Sequence, residues 1–210
     1  MLVTFTESEK ILNQEVVIVE TFKVPVGISN RHLHLSQEHI EILFGAGHQL
    51  TRTKDLSQPG QFATEETVTI VGPKGSMPNV RVLGPARKAT QIELAATDTF
   101  KLGVKPPVHD SGDLEGTPGV EIVGPAGKVQ IGQGVIIAAR HIHMTPEDAQ
   151  KHNLKDGDHV KVSVPGPRAG IFERVLIRVS PNYALDMHVD TDEGNAFGLK
   201  NGDQLDVILD

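Results

Sequence analysis

Short apolar segments alternate with glycine- and proline-containing turns along most of this chain. Gly72-Pro73, Gly84-Pro85 and Gly124-Pro125 are predicted turns. Such short segments, bounded by turn residues, are typical of strands in barrels and sandwiches. The predicted strands are Val16 to Val19, Val24 to Ile28, Thr67 to Val71, Val80 to Leu83, Gln91 to Leu94, Val120 to Val123 and Gln130 to Ile137.

Two helices are predicted, both at equivalent places in the pattern. The first runs from Ser36 to Phe44, with Ser36 as its N-cap and Gly45 or Gly47 as its stop. The second begins at Thr145-Pro146-Glu147 and runs to about His152.

The segment before each helix carries the same motif, Arg-His-x-His, at residues 31–34 and again at 140–143. Each copy also follows an apolar run. Side chains two positions apart on a strand point to the same face, so each pair can direct two imidazoles at one point in space. Two imidazoles at one point favour a metal ion, and the four histidines could serve one ion or two. The copies lie about half a chain length apart, which indicates duplication of a small β-barrel unit.

Composition limits the chemistry. The chain has 210 residues, enough for one large or two small domains, and no cysteine, so histidines and carboxylates are the available metal ligands. The formal net charge of −7 argues against nucleic-acid binding. No apolar run approaches the length of a membrane span, and no secretion signal is recognisable. We therefore expect a cytoplasmic protein that binds neither nucleic acid nor membrane.

Several other polar residues interrupt apolar segments. Glu93 and His188 each lie between apolar neighbours, where they could be ligands or could face solvent. Arg87 follows Gly84-Pro85 in a predicted turn, from which its guanidinium could hold a phosphate group. The five remaining histidines are expected to be solvated: His39, His48, His109, His152 and His159.

Four segments together resemble the PduL-type phosphate acyltransferases, the phosphate propanoyltransferase family. They are residues 26–36, 83–87, 139–144 and 187–196, and the resemblance extends from about Val24 to Asp210. The resemblance implies a mainly β fold of two small β-barrels capped by short α-helices, a duplicated unit with strand exchange between the halves. The expected domains are a central barrel (31–138), a second, discontinuous barrel (21–30 plus 139–210) and an N-terminal lead-in (1–20).

The resemblance also implies an activity and its residues. Members interconvert acyl-CoA plus phosphate with acyl phosphate plus free CoA, using two Zn²⁺ ions. Arg87 is expected to hold phosphate, with Ser111 nearby. The implied metal ligands are His32, His34, Glu93, His141, His143 and His188. The implied CoA contacts are Ser29, Lys54, Arg81, Leu83 and Asn195.

The mechanism expected is direct attack of phosphate on the thioester of a short-chain acyl-CoA (propanoyl or acetyl), without an acyl-enzyme. We expect a homo-oligomer, a dimer. A location inside a bacterial microcompartment is not favoured, because the lead-in is short and ends in the Val16 to Val19 strand.

Two alternatives compete: a binuclear metal-dependent hydrolase, and a non-catalytic β-barrel binding module stabilised by zinc. The hydrolase barrel needs roughly 250 residues and a helix after every strand, and a structural zinc site is usually closed by four protein ligands.

Overall fold

The computed structural model describes residues 20–209, and the predicted strand at Val16 to Val19 lies outside them. The described chain is mainly β, as predicted. Its helices are α1 (Gln37–Phe44), α2 (Ala96–Leu102), α3 (Pro146–Lys151) and α4 (Thr191–Phe197). Its strands are β1 (Glu20–Ser29), β2 (His32–Ser36), β3 (Arg52–Asp55), β4 (Phe62–Val71), β5 (Ser76–Arg87), β6 (Gln91–Glu93), β7 (Val108–His109), β8 (Glu121–Val123), β9 (Lys128–Gln130), β10 (Val135–Ala138), β11 (His141–Met144), β12 (His159–Val164), β13 (Gly170–Val179), β14 (Asp186–Asp190) and β15 (Gln204–Leu209).

These strands form two barrel-like units. One is a closed barrel in the order β1-β14-β11-β13-β12-β15. The other is a nine-stranded sheet, curved as a half-barrel, in the order β7-β10-β6-β2-β5-β4-β8-β9 with β3 on β4. The predicted fold class is confirmed, with one unit closed and the other open.

The two units exchange strands reciprocally. Strand β1 precedes the first His pair, yet it pairs with β14 and β15 of the closed barrel. Strand β10 precedes the second His pair, yet it pairs in parallel with β6 of the open sheet. Each His-x-His strand has equivalent neighbours, because β2 lies between parallel β5 and antiparallel β6, and β11 between parallel β13 and antiparallel β14. The duplication seen in the motifs therefore extends to the sheet pairing.

Each unit has its own apolar core, and the His strands alternate between core and site. Leu33 and Leu35 are fully buried in the core of the open sheet, while Ile142 and Met144 are fully buried in the closed barrel. Since side chains on a strand alternate in direction, the intervening histidines project from the opposite face. The apolar half of each motif fixes the orientation of its imidazoles.

The two predicted helices are confirmed with their caps. The Ser36 hydroxyl accepts a hydrogen bond from His39 N (3.2 Å), and Gly45 ends α1 with its N–H bonded to Glu41 O. The Thr145 hydroxyl caps α3 in the same way, accepting from Asp148 N (3.1 Å). Helices α2 and α4 were not predicted, although both begin within three residues of the end of a strand that carries site residues.

Two local predictions are wrong. The segment Gln130 to Ile137 is not one strand, because the chain turns between β9 and β10. Gly134 there has φ +127°, and a Cβ on it would lie 2.6 Å from Thr90 O. Gly84-Pro85 is not a turn but part of β5, where Gly84 pairs with Phe62 and the aromatic ring occupies the space of a side chain at position 84. Arg87 therefore lies at the end of a strand.

Not all of the five remaining histidines are solvated. The ring nitrogen His39 Nδ1 lies 2.7 Å from Thr90 Oγ1, and His48 Nε2 lies 2.9 Å from the buried carboxylate of Glu66. The His152 ring stacks on Phe22 at 3.8 Å. Contacts from distant parts of the chain, which local sequence context does not show, cover these rings.

Candidate active site

Six of the predicted ligands form two triads, one on each unit. In the first triad His32 and Glu93 face each other across the antiparallel pair β2·β6, with His34 two positions along. In the second, His141 and His188 face each other across β11·β14, with His143 two positions along. In each triad three ligand atoms lie within 4.8 Å of one another. The structure thus brings together residues that are far apart in sequence.

Both triads line one cavity of about 220 Å³ between the two units. Four of the histidines are at most 8% exposed: His32, His34, His141 and His143. The side chain of His188 is 20% exposed and that of Glu93 is 14% exposed. Ligands from two separate sheets therefore face one shared, partly open cavity.

Backbone carbonyls fix the first imidazole of each pair. His32 Nδ1 lies 2.8 Å from Asn30 O, and His141 Nδ1 lies 2.8 Å from Ala139 O. Because a carbonyl can only accept, Nδ1 carries the proton in both rings and Nε2 keeps its lone pair. In both His-x-His motifs the first histidine bonds through Nδ1 to the carbonyl of the residue two positions earlier, which leaves its Nε2 as the ligating atom.

Three other ring nitrogens are buried without a hydrogen-bond partner in the described part of the chain: His34 Nδ1, His143 Nδ1 and His188 Nε2, of which the last lies 3.5 Å from Asp186 Oδ2. An unpaired polar atom in the interior costs about 1–3 kcal/mol. A divalent cation at each triad would satisfy these atoms, and imidazole nitrogen with carboxylate oxygen is a donor set that suits zinc. The residues present therefore fit a pair of metal ions.

Four of these histidines, His34, His141, His143 and His188, are held in their neutral, ligating form because their pKa values are lowered. Burial lowers the pKa of His141 to about 4, helped by the nearby His188. Burial also lowers the pKa of His188 to about 4, and burial with the charge of His141 lowers that of His143 to about 2. The pKa of His34 lies well below its ordinary value because the ring is buried and Arg87 is close.

Glu93 is held as a carboxylate by charged and polar neighbours. Burial alone would raise its pKa, but His32, His34 and Arg87 outweigh burial and lower the pKa to about 2. Its Oε1 accepts hydrogen bonds from Gln91 Nε2 (2.6 Å) and Ser111 Oγ (3.0 Å). The sequence predicted that Ser111 lies near phosphate; in the structure Ser111 contacts Glu93.

Two guanidinium groups reach the cavity without a hydrogen-bond partner among residues 20–209. Arg87 is half-buried at the end of β5, and Arg178 is half-buried on β13 beside His143. Burial lowers the pKa of Arg87, although an arginine stays charged at neutral pH. The cavity therefore offers free donors to an anion.

The predicted CoA contacts divide into two groups. Ser29 and Leu83 line the cavity. Lys54 on β3, Arg81 on β5 and Asn195 on α4 are exposed and lie outside the cavity lining. Arg81 is partly committed, since its Nη1 donates to Thr64 O at 2.7 Å.

Arg178, Tyr183 and Gln58 are among the cavity residues that sequence reasoning missed. Arg178 lies among apolar neighbours in a strand, the same signal that selected Glu93. The Tyr183 ring stacks on His143 at 4.1 Å between centroids. The Gln58 side chain bridges the two units, because its amide donates to Ala184 O (3.0 Å) and accepts from Ala184 N (3.2 Å). No local pattern marked Tyr183 or Gln58.

Comparison with known proteins agrees with this arrangement of residues. A family described as phosphate propanoyltransferase matches residues 25–200. The chain belongs to the phosphate propanoyltransferase family. A phosphate propanoyltransferase of Thermotoga maritima is 60% identical over 184 residues, which are 87% of this chain and 88% of that protein. Those of Rhodopseudomonas palustris (54% over 185 residues; 88% and 82%) and Rhodobacter capsulatus (53% over 194 residues; 91% and 90%) are also similar.

Membership of the phosphate propanoyltransferase family makes the chain an acyltransferase, as the sequence resemblance implied. The non-catalytic binding module is thereby set aside. The sheet pairing also differs from a hydrolase barrel, which consists of parallel strands each followed by a helix. Within the described ranges, no helix combines the length and apolar character needed to cross a membrane.

Proposed function

We propose that this chain transfers a short acyl group between CoA and inorganic phosphate, with two zinc ions at the two triads. Acyl-CoA and phosphate would give acyl phosphate and free CoA, reversibly, with propanoyl or acetyl as the acyl group. The observation that carries the proposal is the pairing of two three-ligand triads with two uncommitted guanidiniums around one cavity.

The number of ligands supports a catalytic metal centre over a structural one. His32, His34 and Glu93 would hold one ion, and the three histidines of the second triad the other. Structural zinc is usually closed by four protein ligands, whereas catalytic zinc keeps a position open for water or substrate. When bound, the ions would supply positive charge that polarises phosphate and stabilises negative charge developing during the transfer.

Arg87 and Arg178 would bind and orient phosphate. A guanidinium presents a planar fork of donors that matches two phosphate oxygens, and both groups are half-buried, where such hydrogen bonds are strong. Holding phosphate against the bound thioester converts a bimolecular encounter into a step between oriented groups. The two arginines would therefore contribute the orientation of phosphate and the positive charge beside it.

The transfer itself needs no covalent enzyme intermediate. A phosphate oxygen attacks the thioester carbonyl carbon, a C–O bond forms, the C–S bond breaks, and CoA leaves as the thiolate. The described residues include no cysteine, and the hydroxyl of Ser111 donates to Glu93, a carboxylate whose pKa of about 2 makes it a poor base for activating a nucleophile. These contacts favour direct attack.

CoA would extend from the cavity to the outer surface. Ser29 and Leu83 are placed to meet the reactive end, while exposed Lys54, Arg81 and Asn195 are suited to its distal, phosphate-bearing part. A dimer, a cytoplasmic location and the domain limits 31–138 and 21–30 plus 139–210 remain predictions from the sequence.

The test follows thiol release from propanoyl-CoA and acetyl-CoA, with and without phosphate, on metal-analysed protein. We expect release only with phosphate, and two zinc ions per chain. Arg87→Met should lose a charge-assisted contact of about 1.5–3 kcal/mol and so raise the KM for phosphate roughly 10- to 150-fold. Lys23→Met, which removes an exposed ion pair with Asp206 on the barrel surface, is the control and should change nothing. Equal thiol release without phosphate would show a hydrolase.

A further inference from the structure

The arginine before each His pair makes the same contact in both halves. Arg31 Nη2 lies 2.7 Å and Nε 2.9 Å from Asp98 Oδ1. Arg140 Nη1 lies 2.7 Å from Glu193 Oε1. Asp98 and Glu193 occupy the first turns of α2 and α4, and each follows the third ligand of its triad, Glu93 or His188, by five positions. Each ion pair therefore links the residue before a His-x-His strand to the helix that follows the third ligand of the same triad.

Both carboxylates are fixed at their other ends. Asp98 Oδ2 lies 3.4 Å from Ala95 N, and Glu193 Oε2 lies 3.2 Å from Asp190 N, at the N-terminus of each helix. The Asp98 side chain is 6% exposed and that of Glu193 is 22% exposed. An arginine bound to an anchored, largely buried carboxylate is held more firmly than one in a surface ion pair.

The neighbouring residues of these helices join the two halves. Asp192 accepts hydrogen bonds from Thr97 N (2.9 Å) and Thr97 Oγ1 (2.6 Å). Since Thr97 precedes Asp98 and Asp192 precedes Glu193, a continuous chain of contacts leads from one His motif to the other. We call it the polar bridge; its members are Arg31, Asp98, Thr97, Asp192, Glu193 and Arg140.

We propose that Arg31 and Arg140 are positioning residues, each holding its own triad in ligating geometry, and that the Thr97–Asp192 contact holds the two triads at one separation. The proposal rests on metal binding as proposed above. Groups that orient metal ligands without touching the ion typically change metal affinity 10- to 100-fold when removed. In the proposed function both ions would supply charge to the same phosphate, so their separation would matter, because a displacement of about 1 Å can cost roughly 100-fold in rate.

The test compares Arg31→Met, Arg140→Met and the double variant in titrations of metal-free protein with Zn²⁺ against a competing chelator. We expect each single variant to bind one ion as tightly as wild type and the other 10- to 100-fold more weakly, and the double variant to weaken both. Co²⁺ should give an altered visible absorption spectrum for one of its two sites in each single variant. Arg31→Lys, which keeps the charge, should recover part of the loss.

Three results would decide against the proposal. If wild type binds no metal, the proposed function fails together with the positioning role. If wild type binds two ions and the arginine variants bind both equally well, the positioning role alone fails. Should Arg31→Met not fold, Asp98→Asn makes the same test.

The Asp192→Ala variant tests the Thr97–Asp192 contact. It should keep the affinities for both metal ions but lower kcat about tenfold or more without changing the KM for acyl-CoA. An unchanged kcat would refute the fixed separation of the triads.

Discussion

If the two triads hold metal as proposed, chelation should destabilise this protein by an amount that the structure allows us to work out. Without metal, three buried ring nitrogens have no hydrogen-bond partner in the described chain: His34 Nδ1, His143 Nδ1 and His188 Nε2. At about 1–3 kcal/mol for each atom, the metal-free form is less stable by about 3–9 kcal/mol. A protein of this size changes its Tm by about 2–4 °C per kcal/mol, so the full range is roughly 6–36 °C.

The lower half of that range is expected, because the cavity of about 220 Å³ has room for water that can bond to some of these atoms. The assay is calorimetry of the zinc-loaded protein before and after EDTA, with metal content measured on both samples. A matched variant, His34→Leu with His143→Leu, removes two of the three atoms and should respond much less to EDTA. If EDTA removes the metal and the wild-type Tm falls by less than about 2 °C, these nitrogens are not the ligands.

Three further predictions follow from single features. In metal-free protein the free energy of unfolding should fall as the pH drops from 6.5 toward about 4. His141 and His188 have pKa values near 6.5 in the unfolded chain but near 4 in the folded protein, so between these pH values the unfolded state binds more protons. Urea titrations that gave the same stability at every pH would contradict this prediction. Gly134→Ala should destabilise the fold by about 2 kcal/mol or more because of its positive φ and close approach to a carbonyl, while Gly132→Ala, with open space around it, should not; denaturation midpoints distinguish them. Arg178→Met should raise the KM for phosphate about tenfold or more, and an unchanged KM would remove it from the phosphate site.

The site was predictable where its signals are local. The alternation that buries Leu33 and Leu35 in the core and turns His32 and His34 to the other face is contained in four consecutive residues. The N-cap of α1 is equally local. The position of Glu93 opposite His32 is not, because it depends on an antiparallel pairing between segments some sixty residues apart.

The failures have different causes. Helix α2 begins after Ala95, which has no side-chain acceptor, so the usual start signal was missing. Helix α4 does begin with a capping box of Asp190 and Glu193, a start signal that is present in the local sequence. Gln58 and Tyr183 enter the site only through loops that meet across the two units, and hydrophobic periodicity carries no information about such contacts.

The reciprocal strand exchange makes the halves mutually dependent. Cutting the chain between them would leave the closed barrel without β1 and the open sheet without β10, each with an unpaired edge that invites aggregation. This is the connectivity left when two copies of one chain, each lending a strand to the other, are fused end to end. Fusion keeps both triads in one molecule at every protein concentration, so neither half has to find its partner before an active site can exist.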